Sequence, residues 1–402
     1  MKKLNLKFNA GEALAASKMN QIVGAINEAA DEINALAFEN KTDTIYLNFN
    51  KTSPIEIITG DVNGDVIKWI RNNSHRYLVK KTAEGKVTMC QLSDGDSNVF
   101  AGDGSTAALD GTMGDVMVHV PTFYFRAQLL ALNKWEIVFS LIDLGEEWNK
   151  YDGNQLLGAY EGYVDSSKLY SRSGVASTGN VSQANFKSYA RARGAGYTLT
   201  TWEQHCIMAI LFYAKYGNTD SQGIIGSGTD SFVKGTGQTD SLGMEDTLAV
   251  FYGNTMSINF WGLENWWGNK YEFIDNVVVN PQSANGVWRI TDRDGNARDV
   301  QGATGETANW YYPKSMRIGT HLDMIPNVLG GSTSSSLCDG FYYNPTTSRV
   351  VQRSGSNAGA SGGCACMLAE GDASSAAGND GARLSFAGEI HIEVDVDAYK
   401  AL

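Results

Sequence analysis

Apolar residues recur at alternating three- and four-residue steps at Met19, Ile22, Ile26, Ala29, Ile33 and Leu36, the spacing of a heptad seam. Val23, Ala30 and Ala37 widen the stripe, Asn20, Asn27 and Asn34 repeat at seven beside it, and Ser17 is placed to cap a helix starting at Lys18. Isoleucine at both core positions favours trimers. A helix this short is marginal alone in water, so residues 1–40 are expected to form an association helix. The alternative is an ordinary amphipathic helix packed on its own domain.

From Thr44 the period shortens towards two. Residues 45–49, 55–58, 66–70 and 77–79 read as strands, with turns at Asn63-Gly64 and Glu84-Gly85. A turn-rich stretch at 103–114 divides a small β-rich domain, 41–105, from a larger unit, 106–402. Within the larger unit, residues 198–216 read as a helix burying Trp202, Cys206, Ile210 and Leu211, stopped by Gly217. Residues 261–275 hold Trp261, Trp266, Trp267, two glycines and three carboxylates in a run too compressed for a one-faced helix. From Lys270 the run alternates, Tyr271 and Phe273 against Glu272 and Ile274, which predicts a packed turn feeding a central strand. The expected class is α+β.

Composition narrows the function classes. The 402 residues include 44 Gly and 6 Pro, which favours many turns between short strands, in two or three domains. A net charge of −12 argues against a nucleic-acid surface, since phosphate contacts need clustered Lys and Arg. Lys2 and Lys3 precede no apolar signal core, and no window approaches a membrane span. Five scattered cysteines, Cys90, Cys206, Cys338, Cys364 and Cys366, do not resemble a secreted disulfide framework, so synthesis in a reducing cytoplasm is expected.

Candidate chemistry is thin. Residues 61–65 alternate oxygens like a calcium loop, but Val66 stands where glycine is required and no acid closes the loop. Residues 292–296 also misplace their glycine, and a hairpin turn is the better reading. Gly102-x-Gly104 has no helix after it and so is no phosphate loop. His119 sits among alternating apolar residues and is read as structural. His205 and Cys206 are adjacent on a helix, point about 100° apart and do not converge. No metal or cofactor is expected.

Residues 264–275, with Glu264, Asn265, Trp266, Trp267, Gly268 and Asn269 at their head, resemble the signature of C-type-lectin-fold domains in phage tail and fibre proteins. Residues 114–125 and 216–222 resemble the same family in the expected order, and 8–14 followed by the Met-Asn and Ile-Asn pattern resembles a fibre attachment end. The fold is shared with the variable proteins of diversity-generating retroelements and with formylglycine-generating enzymes. The resemblance spans roughly 100–390 and implies a C-type-lectin-like domain over 106–402. In those relatives the ligand face is built from the C-terminal region, here 327–386. Carried over, it points to Tyr342, Tyr343, Asn344, Arg349, Gln352, Arg353, Ser356 and Asn357. The chain continues past Phe386, where an edge strand or a neighbour contact is expected.

The resemblance therefore implies a non-enzymatic virion fibre or spike subunit, a homotrimer joined to other virion proteins through its N-terminus. It would bind a bacterial surface glycan or protein, without nucleic acid or membrane insertion. A capsid-decorating or purely structural virion protein is the alternative. An oxidase working through Cys364 and Cys366 is a third reading; no base or activating cation lies nearby in sequence, so buried structural thiols are favoured.

Overall fold

The computed structural model describes residues 41–229, 235–251, 255–282, 285–355 and 361–402. The expected heptad positions Met19, Ile22, Ile26, Ala29, Ile33 and Leu36 lie outside the described residues. The fold is β-rich, which corrects the α+β class: 39% of residues are in strands and 14% in helices. Among the described residues only Asp65–Asn72, Gln183–Arg191 and Trp202–Tyr216 are helices of two turns or more.

Three sheets carry the architecture. A five-stranded antiparallel sheet runs in the order Ile58–Gly60, Thr42–Asn48, Lys134–Ser140, Phe123–Ala131, Asn149–Tyr151. A seven-stranded sheet runs Tyr197–Leu199, Leu384–Ala387, Gln155–Gly158, Asp115–His119, His75–Lys81, Val87–Gln91, Ile390–Ile392. In the third sheet the strand Tyr271–Gln282 is central, flanked by Asn285–Thr291 and Arg349–Arg353, with Asp380–Ala382 pairing in parallel to its first residues. The boundary drawn near residue 105 is crossed by the first two sheets. Thr42–Asn48 pairs with Lys134–Ser140, and His75–Lys81 with Asp115–His119. Beyond Phe386, Ile390–Ile392 adds a parallel edge strand beside Val87–Gln91 of the same chain.

Two segments expected as strands are wholly or partly helical. Residues 66–70 belong to the helix Asp65–Asn72, which buries Val66, Ile67 and Ile70 on one side. So short an apolar run fits either period, and the deciding contact is remote. The Asp43 carboxylate accepts the first-turn Ile67 N–H at 2.8 Å, where the helix dipole favours a negative charge. Residues 55–58 divide between a helical turn, Pro54–Ile57, and the strand Ile58–Gly60, because Pro54 fixes a helix-start backbone angle.

The core helix runs Trp202–Tyr216, starting later than the expected 198 because Thr198 and Leu199 belong to the strand Tyr197–Leu199. Thr201 and Gln204 make a reciprocal capping box and Gly217 ends the helix in the left-handed conformation. Its residues from Gln204 to Ala214 are all buried, so it is the spindle on which the sheets pack.

Candidate functional site

The site rests on a buried ionic lattice. In the turn before the central strand, Trp261, Gly262, Asn265, Gly268 and Asn269 all take positive φ, a backbone that glycine and asparagine adopt most readily. The turn folds Trp266 and Trp267 wholly inside. The Arg353 guanidinium lies 3.4 Å from the centre of the Trp266 ring, a desolvated cation–π contact, and also donates to the Trp266 carbonyl and the Glu272 carboxylate. Arg383 donates to the same carboxylate at 2.7 and 3.1 Å, and to the carbonyls of Gly158, Ala159 and Glu264. Burying these charges is tolerable because each is paired and hydrogen-bonded.

Two further carboxylates complete the lattice. Glu161 accepts from the Asn269 side-chain amide and the Lys270 N–H; burial and then the repulsion of Glu272 push its pKa up to about 7. Glu264 accepts from the Gly237 and Thr239 amides and the Thr239 hydroxyl, and burial followed by Asp240 pushes it up to about 7. Glu264, Asn265, Trp266, Trp267 and Asn269 are all buried, and Gly268 packs against Gly228 and Thr229. They fasten the sheets together.

Above this lattice a cavity of about 370 Å³ opens between the strand Arg349–Arg353, the start of the central strand and the loop 370–380. Tyr271 and Phe273 form its apolar wall, and Asn344, Arg349, Gln352, Glu370, Ser375, Asn379 and Asp380 its polar lining. The Gln352 amide donates to Asp380 at 2.7 Å, and burial holds the Asp380 carboxyl above its ordinary range. Arg349 donates to the Asn344 carbonyl at 3.1 Å and to the Thr346 hydroxyl. It is buried, yet no carboxylate among the described residues lies within ion-pair distance of it. The loop is shaped by Asp372, whose carboxylate accepts from the Ser374 N–H and hydroxyl, and tied to the strand by the Val350 N–H on the Gly371 carbonyl. Amides, carboxylates and one guanidinium converging on an aromatic wall suit a polar ligand held by several directed hydrogen bonds.

The sequence-derived candidates thus divide. Asn344, Arg349 and Gln352 come together in the cavity. Arg353 is a correction: it is consumed by Glu272 and Trp266 inside the protein. Tyr343 is likewise fully buried against Phe341. Tyr342 is half-buried and meets Trp310 edge-on at 5.5 Å, beside the small cluster containing Tyr271. Ser356 and Asn357 lie outside the described residues. Glu370, Ser375, Asn379 and Asp380 were missed. The one sequence signal for that loop is Asp372-Ala373-Ser374-Ser375, an Asx-turn pattern.

The remaining chemistry is quiet. Cys364 and Cys366 are buried free thiols whose pKa values burial drives well above the ordinary thiol range, the opposite of the activation a nucleophilic thiolate needs. Burial pushes His205 down to about 3, so its ring is neutral. Among the described residues no group of three or more His, Cys, Asp or Glu is placed to hold a metal ion, and no helix is long and apolar enough to cross a membrane.

Fold and cavity together define a β-rich scaffold carrying a loop-built polar pocket. Comparison with known proteins gave no matching family model and no matching curated protein.

Proposed function

We propose that this chain is a non-enzymatic virion subunit, a fibre or spike, that recognises a bacterial surface glycan or protein through the pocket around Arg349. The observation that carries the reading is the meeting of Asn344, Arg349 and Gln352 with the 370–380 loop in one cavity. These three come from the region that the resemblance to phage lectin-fold proteins marks as the ligand face. Loops held on a rigid scaffold are the usual seat of recognition, and the lattice of Glu272, Arg353 and Arg383 supplies the rigidity. Display of several copies, as in a homotrimer, would multiply weak single-site contacts into firm attachment.

The test is adsorption competition. Purified full-length protein, added to susceptible bacteria before the phage that carries it, is expected to lower the adsorption rate in proportion to its concentration. Undiminished adsorption at saturating protein would return the chain to a purely structural place in the particle.

A further inference from the structure

A second, larger cleft lies along the same central strand. It has a volume of about 560 Å³ and is bounded by Asp275–Val278, the helix Gln183–Arg191 and the hairpin at 291–293. Four cationic side chains line it, Lys187, Arg191, Arg289 and Arg293, against two carboxylates, Asp275 and Asp292. That balance is opposite in sign to the chain as a whole, whose net charge is −12.

The carboxylates are already engaged. Asp292 accepts from the Asp294 and Asn296 N–H groups at 3.0 and 2.8 Å and from the Asn296 side chain, so it serves its own turn. Asp275 pairs with Lys187 at 3.2 Å, and the same ammonium donates to the Asp275 carbonyl at 2.6 Å. The guanidiniums are not so spent. Arg191 stands 3.9 Å from Asp275 and Arg289 3.9 Å from Asp299, both beyond hydrogen-bond reach. Among the described residues Arg293 makes one side-chain hydrogen bond, to Gln155 at 3.1 Å. Three planar forks, each with most of its N–H groups making no hydrogen bond among the described residues, thus border one concave space.

We propose that this cleft binds a sugar-sized ligand bearing a carboxylate or phosphate group. Guanidinium forks match both anions through paired N–H···O bonds, and the volume falls within the range of small-ligand sites. The assignment stands independently of the pocket around Arg349: the two share the central strand but no lining residue, Tyr271 and Phe273 lining one and Asp275–Val278 the other.

The experiment is calorimetric titration of the full-length protein with glucuronate, glucose 6-phosphate and glucose at low salt. At least one of the two acids is expected to bind, weakening as salt is raised, while glucose does not; the stronger acid identifies the anion. Arg289→Glu with Arg293→Glu should weaken that binding by about tenfold or more, and Arg349→Ala should leave it unchanged. Arg191→Glu, on an exposed helix end, reads the same effect singly should the double variant fold poorly. Binding of glucose equal to that of the acids, absence of heat with both acids, or full affinity in a folded Arg191→Glu protein would each overturn the assignment.

Discussion

Arg349 and Arg353 stand four residues apart in one strand and lead opposite lives. Arg353 lies under the sheet with a carboxylate, a carbonyl and an indole face around it. Arg349 lines an open cavity, held by a carbonyl and a hydroxyl, with no carboxylate among the described residues within ion-pair distance. One region spends its charges on holding the sheets together; the other keeps a charge in reserve. The pair shows that residue type and proximity in sequence do not separate an arginine locked into the scaffold from one that lines a cavity. The register of the neighbouring strand does, by setting Glu272 opposite Arg353 and Val279 opposite Arg349.

The contrast should break first in stability. Arg353→Ala leaves Glu272 buried with half of its pairing lost and is expected to cost about 3–5 kcal/mol in urea unfolding. Arg349→Ala, which removes two hydrogen bonds to neutral partners, should cost about 1 kcal/mol. Equal losses would dissolve the distinction. Gly262→Ala should cost about 1–3 kcal/mol, because Gly262 has φ 75° and a Cβ there would meet the Met244 sulfur at 2.4 Å.

A smaller effect should appear with pH. Glu161 and Glu264 have folded pKa values raised to about 7 from an ordinary 4.5. Between those values the folded state holds more protons than the unfolded one, so stability falls as pH rises through that window. A decline of about 1–3 kcal/mol between pH 5 and about pH 8 is expected from unfolding midpoints, and Glu264→Gln should remove about half of it. Smallest of all, Asp380→Asn should leave stability nearly unchanged while altering ligand binding, since its carboxylate lines the cavity and is only partly shielded.

Much of the scaffold was legible in the sequence. The core helix was legible from the buried spacing of Trp202, Cys206, Ile210 and Leu211 and from Gly217 at its end, whereas its start at the Thr201 and Gln204 capping box was not read. The turn before Tyr271 was legible because two glycines punctuate its compressed aromatic run, and both Gly262 and Gly268 take positive φ. Residues 66–70 were misread because their helix is settled by Asp43, more than twenty residues away. Of the candidates carried over from the resemblance, Asn344, Arg349 and Gln352 line the cavity, but Arg353 and Tyr343, named with them, are buried in the scaffold. Asp380 was invisible because only the parallel pairing of Asp380–Ala382 with the central strand brings it to Gln352.

The most direct measurement is adsorption competition by Arg349→Ala beside the unaltered chain, both shown to melt at matching temperatures. The account predicts a folded protein that no longer protects bacteria from the phage. A folded Arg349→Ala protein that competes as well as its parent would contradict it.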